Sequence, residues 1–244
     1  LTAALARLGK KTLLVDFDPQ GNSTSGMGVS KRSNPTAYDV VMGSASAEDA
    51  VIRLPYGWVL PSNTDLSGAE VELANVERRE YRLREAIDTI RDDFDYIFID
   101  CPPSLGMMPV NALSAADSVL IPVQAQYFSM RGLLQLIRTI DKVQRRQNPR
   151  LKIEGIVLTL VDNRTNLSRD VSAMLRDAYG ANVHIFKTEI PMCVRAAESP
   201  SFGKSIFDYD PRGKATLAYE QLAREVLTLG RKKELGRGGF APTR

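Results

Sequence analysis

The chain of 244 residues is 43% hydrophobic and 25% charged, with a formal charge of +3, which is the make-up of an ordinary globular domain, commonly single at this length in α/β proteins. Two cysteines and one histidine exclude a disulfide framework, a His-rich metal site and a triad built on several histidines, and no apolar run approaches the roughly 20 residues that cross a bilayer. The charge is too small to imply nucleic-acid binding by itself but is uneven: residues 1–186 hold 21 Lys+Arg against 22 Asp+Glu, and residues 187–244 hold 11 against 7.

The sequence opens in LTAALARLGKK, which reads as the second half of a helix ending at Gly9, so the chain is expected to start in mid-element. KTLLVD follows as a buried-type strand and stops at a polar, glycine-containing segment, DFDPQGNSTSGMG. Short helices are predicted around TAYDVVMG and SAEDAVIR, and a strand over YGWVLPS. SGAEVELAN comes next, and REYRLREAIDTIRDD places Tyr81, Leu83, Ile87 and Ile90 at near-helical spacing, an amphipathic helix over a sheet. DYIFID is a continuous apolar strand ending in an acid, and CPPSLG is the turn after it.

SVLIPV, MRGLLQLIRTIDKVQRRQ, IEGIVLTLVD, NLSRDVSAMLRDAYG and VHIF then alternate strand, helix, strand, helix, strand. That rhythm predicts βαβ units and a mostly parallel sheet flanked by helices. After a loop-rich stretch, KATLAYEQLAREVLTLG closes the domain at residue 229, and residues 230–244 read as a polar tail expected to be disordered.

In open parallel sheets ligands sit beyond the carboxyl ends of strands. Three apolar runs finish in acids there: LLVDFD at Asp16 and Asp18, YIFID at Asp100, and IVLTLVD at Asp162. Carboxylates so placed suit a hydrated Mg²⁺ and its nucleotide, although a single strand-end Asp is more often a turn or cap residue. Cys101, directly after Asp100, reads as a small buried strand-end residue, and Cys193 is too distant in sequence to define a cluster site with it.

Taken with their flanks, these segments resemble the ParA/Soj family of partitioning ATPases. DFDPQGNSTSG is similar to the element after that family's P-loop helix, FDYIFIDCPPSLG to its Walker B element, and IPMCVRAAESPSFGKSIFDYDPRGKATLAYEQLAREV to its C-terminal element, in the family's order across residues 1–229. The resemblance implies a SIMIBI-type P-loop NTPase fold, an ATP and Mg²⁺ site, and an ATPase. Asp18 would position the attacking water, Asp100 would hold Mg²⁺ through its water shell, and Asp16 would shape the loop of the nucleotide site. Pro102 and Pro103 would belong to the γ-phosphate switch. Asp162 with Asn163, next to Arg164, would meet the adenine, and Pro191 would pack on it. The chain has PMCVR where the family more often carries a basic and an amide residue, which leaves Met192 and Cys193 without a family role.

The family's glycine-rich, lysine-bearing phosphate loop is not among these residues. The expectation is therefore that a first strand and this loop precede Leu1 in the intact protein, and that the 244 residues alone are inactive. The resemblance further implies an ATP-dependent homodimer that binds DNA without sequence preference, a ParB-like protein that stimulates hydrolysis, no membrane partner, and a cytoplasmic, nucleoid-associated protein. Arg195, Lys204, Arg212, Lys214 and Arg224 are the candidate DNA contacts, since phosphate neutralisation supplies non-specific affinity. Two alternatives stand beside this: a MinD-like division-site ATPase, for which RKKELGRGGFAPTR lacks the apolar stripe of a membrane-surface helix, and a non-catalytic degenerate fragment.

Overall fold

The computed structural model describes residues 1–102, 106–126 and 129–237; Pro103 of the expected switch lies outside them. The first half of the chain runs α1 (Thr2–Arg7), β1 (Thr12–Asp16), α2 (Asn22–Gly26), α3 (Ala37–Met42), α4 (Ala47–Ala50), β2 (Ile52–Leu54), β3 (Gly57–Leu60), α5 (Leu66–Glu72), α6 (Arg82–Asp88), β4 (Tyr96–Asp100) and α7 (Met107–Ala115). The second half runs β5 (Ser118–Gln124), α8 (Ser129–Arg146), β6 (Lys152–Thr159), α9 (Asn166–Tyr179), α10 (Val194–Glu198), α11 (Ile206–Tyr209) and α12 (Lys214–Arg237).

The expected α/β architecture with a mostly parallel sheet flanked by helices is present, and its strands are paired in two pieces. One sheet has the order β2-β3-β1-β4, in which β1 is parallel to both β3 and β4 and β2 is antiparallel to β3. The other pairs β5 with β6 in parallel. β1 is almost wholly buried, as its unbroken apolar run requires, whereas the equally apolar β4 ends its sheet with every residue partly or fully exposed.

What joins the two pieces is α12. Its Leu222, Val226 and Tyr219 share a core with Tyr96 of β4, Leu120 of β5 and Val157 of β6, and its Ala223 and Leu227 pack with Ala4 and Leu5 of α1 and Phe98 of β4. The helix thus lies over the seam between β4 and β5. It continues to Arg237, eight residues past the expected boundary at 229.

Three departures from the sequence-based reading have physical causes. VHIF forms a single bridge, Ile156 to Ile185, and no strand; beyond it the amides of Lys187 and Thr188 donate to the Glu225 carboxylate of α12, at 2.8 and 3.1 Å, in place of a strand partner. β2 is an added antiparallel strand, too short to show a period. Its turn back into β3 needs Gly57, at φ +107°, because a Cβ there would lie 2.6 Å from Thr12 Oγ1. α7 has no polar face to betray it: Met108, Pro109, Asn111, Ala112, Leu113, Ser114 and Ala115 are all buried.

Asn111 is the polar pin of that helix. Fully buried, it accepts from Leu83 N at 3.2 Å and donates to Arg79 O at 2.9 Å and Met107 O at 3.2 Å, tying α7 to α6. Asn111→Ala strands these groups, and the expected loss is about 1–3 kcal/mol, read as a lower urea midpoint with an unchanged slope. An unchanged midpoint would show that the three hydrogen bonds are replaced by water.

Candidate functional site at the strand ends

Parallel pairing sets Asp16 directly beside Asp100, on strands that run about 4.8 Å apart, and Phe17 N continues the ladder with a 2.7 Å bond to Asp100 O. The strand-end residues differ in exposure. Asp16 and Phe17 are both fully buried, Asp18 is half-buried, and Asp100 is exposed.

Asp16 is spent on its own loop. Its Oδ2 accepts from Thr24 N and Thr24 Oγ1, both at 2.6 Å, and its Oδ1 accepts from Asp18 N at 3.3 Å. Thr24 Oγ1 in turn accepts from Ser62 N at 2.8 Å, so one carboxylate organises the ends of β1 and β3 and the start of α2. Burial pushes the Asp16 carboxyl above its ordinary range, and the bonds from Thr24 and Asp18 oppose that push. The entry to α2 needs Gly21 at φ +60°, where a Cβ would stand 2.8 Å from Ser62 O.

Asp18 and Asp100 are the acids left facing outward. Asp18 Oδ1 takes the Gln20 amide at 2.9 Å, an Asx-type turn that leaves Oδ2 without a bond in the loop. Asp100 Oδ2 accepts from Ser23 Oγ at 2.5 Å. Among the described residues no group of three His, Cys, Asp or Glu side chains gathers to hold a metal, so a cation here would be held by Asp100 and Ser23 with ligands from water or a substrate. Their hard oxygen donors fit Mg²⁺.

A second locus forms where Val161 bridges to Pro191: Val161 N donates to Ile190 O at 3.1 Å and Met192 N to Val161 O at 3.0 Å. Leu160 just before it has φ +52°, a strained value for a branched residue. Leu160 and Met192 are 42% and 58% exposed, so the bridge presents apolar surface. Asp162 is engaged by Arg164 in a bidentate pair, Nε and Nη2 both at 2.8 Å, and these bonds hold its pKa down at about 2. Asn163 is exposed. The structure therefore brings Asp162, Asn163 and Pro191 together, with the Asp162 carboxylate already taken.

The C-terminal element packs on the Asp18 loop. Gly28 and Gly203 approach so closely that a Cβ on Gly28 would lie 2.8 Å from Gly203 O, and the 3₁₀ turn Ser199–Phe202 lies against α2. Beside it Phe202 stacks on Tyr209 at 5.2 Å, with the Arg195 guanidinium 5.9 Å from the Tyr209 ring. Arg195, Lys204, Arg212 and Lys214 are exposed and form no ion pair among the described residues. Arg224 is bonded to Glu220 at 2.7 Å.

The sequence reading missed Ser23 and Thr24 as individual residues although both sit in the quoted NSTSG, and it missed the Leu160 strain altogether. Cys101 follows the end of β4 as expected, but it is half-buried rather than fully buried. Burial first, then the charges of Asp100 and Asp18, pushes its thiol up to about 11. In a Cys193→Ser background, Cys101 is therefore expected to stay unalkylated by iodoacetamide at pH 8 in the folded protein and to react on unfolding, followed by intact mass. Fast labelling of the folded chain at pH 8 would contradict the buried-thiol account.

Comparison with known proteins gives a consistent relationship. The family described as an AAA domain matches residues 1–153. The chain is 45% identical over 239 residues to the chromosome partitioning protein ParA of Caulobacter vibrioides, covering 96% of this chain and 89% of that protein. It is 45% identical to the chromosome-partitioning ATPase Soj of Thermus thermophilus, covering 93% and 87%. A Mycobacterium smegmatis structure, described as cobyrinic acid a,c-diamide synthase with bound ATP analogue and magnesium, superposes with a TM-score of 0.82 at 34% identity, over 100% of this chain and 90% of that one. On these matches the chain belongs to the ParA/Soj family of chromosome-partitioning P-loop ATPases.

Proposed function

We propose that this protein is an ATP-switched partitioning protein, working as a homodimer that binds DNA without sequence preference and is stimulated by a ParB-like partner. The observation that carries the reading is that three acids at the strand ends have different fates: Asp16 buried and structural, Asp18 and Asp100 turned outward from the same loop cluster. Bound ATP and Mg²⁺ would supply the phosphoryl group and its charge neutralisation. Asp100, with Ser23, is the oxygen set for the hydrated cation, and Asp18 carries a carboxylate oxygen, unbonded among the described residues, that orients water. Leu160, Pro191 and Met192 offer apolar surface for a base, with Asn163 beside them as a polar contact. Asp162, held by Arg164, acts through the shape of that loop.

The 244 residues hold no glycine-rich, lysine-bearing phosphate loop. β4 and β5 each end their sheet, and a phosphate-binding strand is proposed to add at that seam under α12. ATP turnover then belongs to a chain carrying the loop, and the 244 residues alone do not perform it. Partitioning is favoured over the activity named for the mycobacterial protein because identity to the partitioning relatives is 45% against 34%. Among the described residues no helix is long and apolar enough to cross a membrane. DNA is the surface bound in this reading, by a nucleoid-associated, cytoplasmic protein.

In a chain that carries the phosphate loop, Asp18→Ala is expected to keep ATP binding and dimerisation while slowing hydrolysis by about 10²-fold or more, because orienting water matters mainly in the transition state. ATP affinity by equilibrium binding and single-turnover hydrolysis separate the two effects. Lost affinity with normal turnover of bound ATP would make Asp18 a binding residue and sink the assignment.

The same protein with ATP tests the DNA surface. Arg195→Glu and Lys214→Glu are each expected to weaken binding to two unrelated duplexes equally and to flatten the salt dependence by about 0.9 in log–log slope for each phosphate no longer neutralised. Arg224→Glu is expected to do less, since Glu220 already neutralises Arg224. Unchanged affinity in the first two variants would place the DNA surface elsewhere.

A further inference from the structure

Away from the strand ends, a groove of about 770 Å³ opens between α7 and α8. Its apolar lining includes Val110 of α7 and Leu134 and Val143 of α8, and its rim carries Arg138, Lys142 and Arg146, with no acidic side chain in the lining. The three cations are four residues apart, so they stack along one helical face over about two turns. All three are exposed and none forms an ion pair among the described residues, whereas Arg145 on the neighbouring face is paired with Asp141 at 3.0 Å.

Ordinary helix physics accounts for only part of this row. Arg146 is the last residue of α8 and gains from the negative end of the helix dipole, an effect confined to the final turn. Lys142 and Arg138 lie one and two turns earlier, and like charges at this spacing repel one another. Leu134, four residues before Arg138 on the same face, is 48% exposed, although Leu133 and Ile140 of the same helix are buried at 3% and 1%. The core-facing stripe of α8 is thus satisfied separately, and the groove face combines uncompensated positive charge with unburied apolar surface.

We propose that this groove docks an acidic amphipathic helical segment of a protein partner. Such a segment answers both features together: its acids pair with Arg138, Lys142 and Arg146, and its apolar side chains cover the exposed Leu134 and the half-buried Val110. A duplex offers phosphates for the rim but nothing for the exposed Leu134 and the half-buried Val110. The rim from Leu134 to Arg146 is about 20 Å long at 1.5 Å per residue, so a partner helix of roughly 13–15 residues fills it. The proposal needs neither nucleotide nor the acids of the strand ends, and it fails or holds independently of the partitioning role.

The test uses the full 244-residue chain and a fluorescein-labelled helical peptide of about 15 residues carrying Leu and Glu at i,i+4 spacing, titrated by anisotropy. Binding is expected, weakening with salt and falling about tenfold or more in an Arg138→Glu/Lys142→Glu double variant. It is expected to fall also in Leu134→Ser and to persist in Arg169→Glu, a reversal on α9. The charge-swapped peptide, Lys for Glu, is expected to prefer the double variant, a gain that a misfolded variant cannot produce. The proposal is overturned by absence of peptide binding, by binding indifferent to the groove variants, or by a 20-base-pair duplex being the ligand whose affinity those variants control while the peptide does not bind.

Discussion

The buried carboxylate of Asp16 is the constraint on which the rest of the strand-end architecture depends. Removing a carboxylate from water costs several kcal/mol unless donors surround it, and here the donors come from residues that must then be held in place: the amide and hydroxyl of Thr24 and the amide of Asp18. Satisfying Asp16 fixes the direction of the chain after β1, starts α2, and, through Thr24 Oγ1 and Ser62 N, ties in the end of β3. Asp18 is half-buried where Asp16 and Phe17 before it are fully buried. Ser23 reaches Asp100 because α2 begins where Thr24 is pinned. A site that would have to orient water and a cation therefore rests on a support that does not touch either, which is how loops gain the rigidity that positioning chemistry requires.

The second organising feature is the seam between β4 and β5. An apolar strand with both faces and both edges covered would be almost fully buried, as β1 is; β4 is not. α12 lies over this seam, and the same helix supplies Glu225, which takes the Lys187 and Thr188 amides. One helix thus holds the two halves of the sheet in relation, and among the described residues the second half consists of two strands and two isolated bridges. Leu229 of this helix joins the cluster that contains Tyr96 and Leu120.

Charge is distributed by location as well as by count. The C-terminal quarter carries the net positive excess, but Arg224 within it is neutralised by Glu220, whereas Arg138, Lys142 and Arg146 lie in the part of the chain that is net negative and are unpaired among the described residues. A tally by segment points to the first region and passes over the second. Pairing geometry reverses part of that ranking, since an exposed charge already bonded at i,i+4 has less to offer a ligand than one held beside an apolar groove.

What the sequence by itself determined is what depends on local pattern: the apolar strands that end in Asp16 and Asp100, the amphipathic stripe that buries Leu133 and Ile140, the left-handed Gly9 after α1, and the motifs that led to the family. Periodicity and turn chemistry are written into neighbouring residues, so these could be read directly. Tertiary structure alone decided which acid is buried and which is exposed, because Asp16 and Asp18 are chemically the same residue two positions apart and only Thr24, Phe17 and Ser62 distinguish them. It also decided that VHIF would not be a strand, since Glu225, some forty residues on, takes the amides that follow it, and that α7 would be a helix without an amphipathic signature, since all of it but Met107 and Val110 is buried. The strain at Leu160, the approach of Gly28 to Gly203, and the groove beside α8 likewise exist only once distant segments meet. Their causes are long-range contacts, and no window of sequence contains both partners.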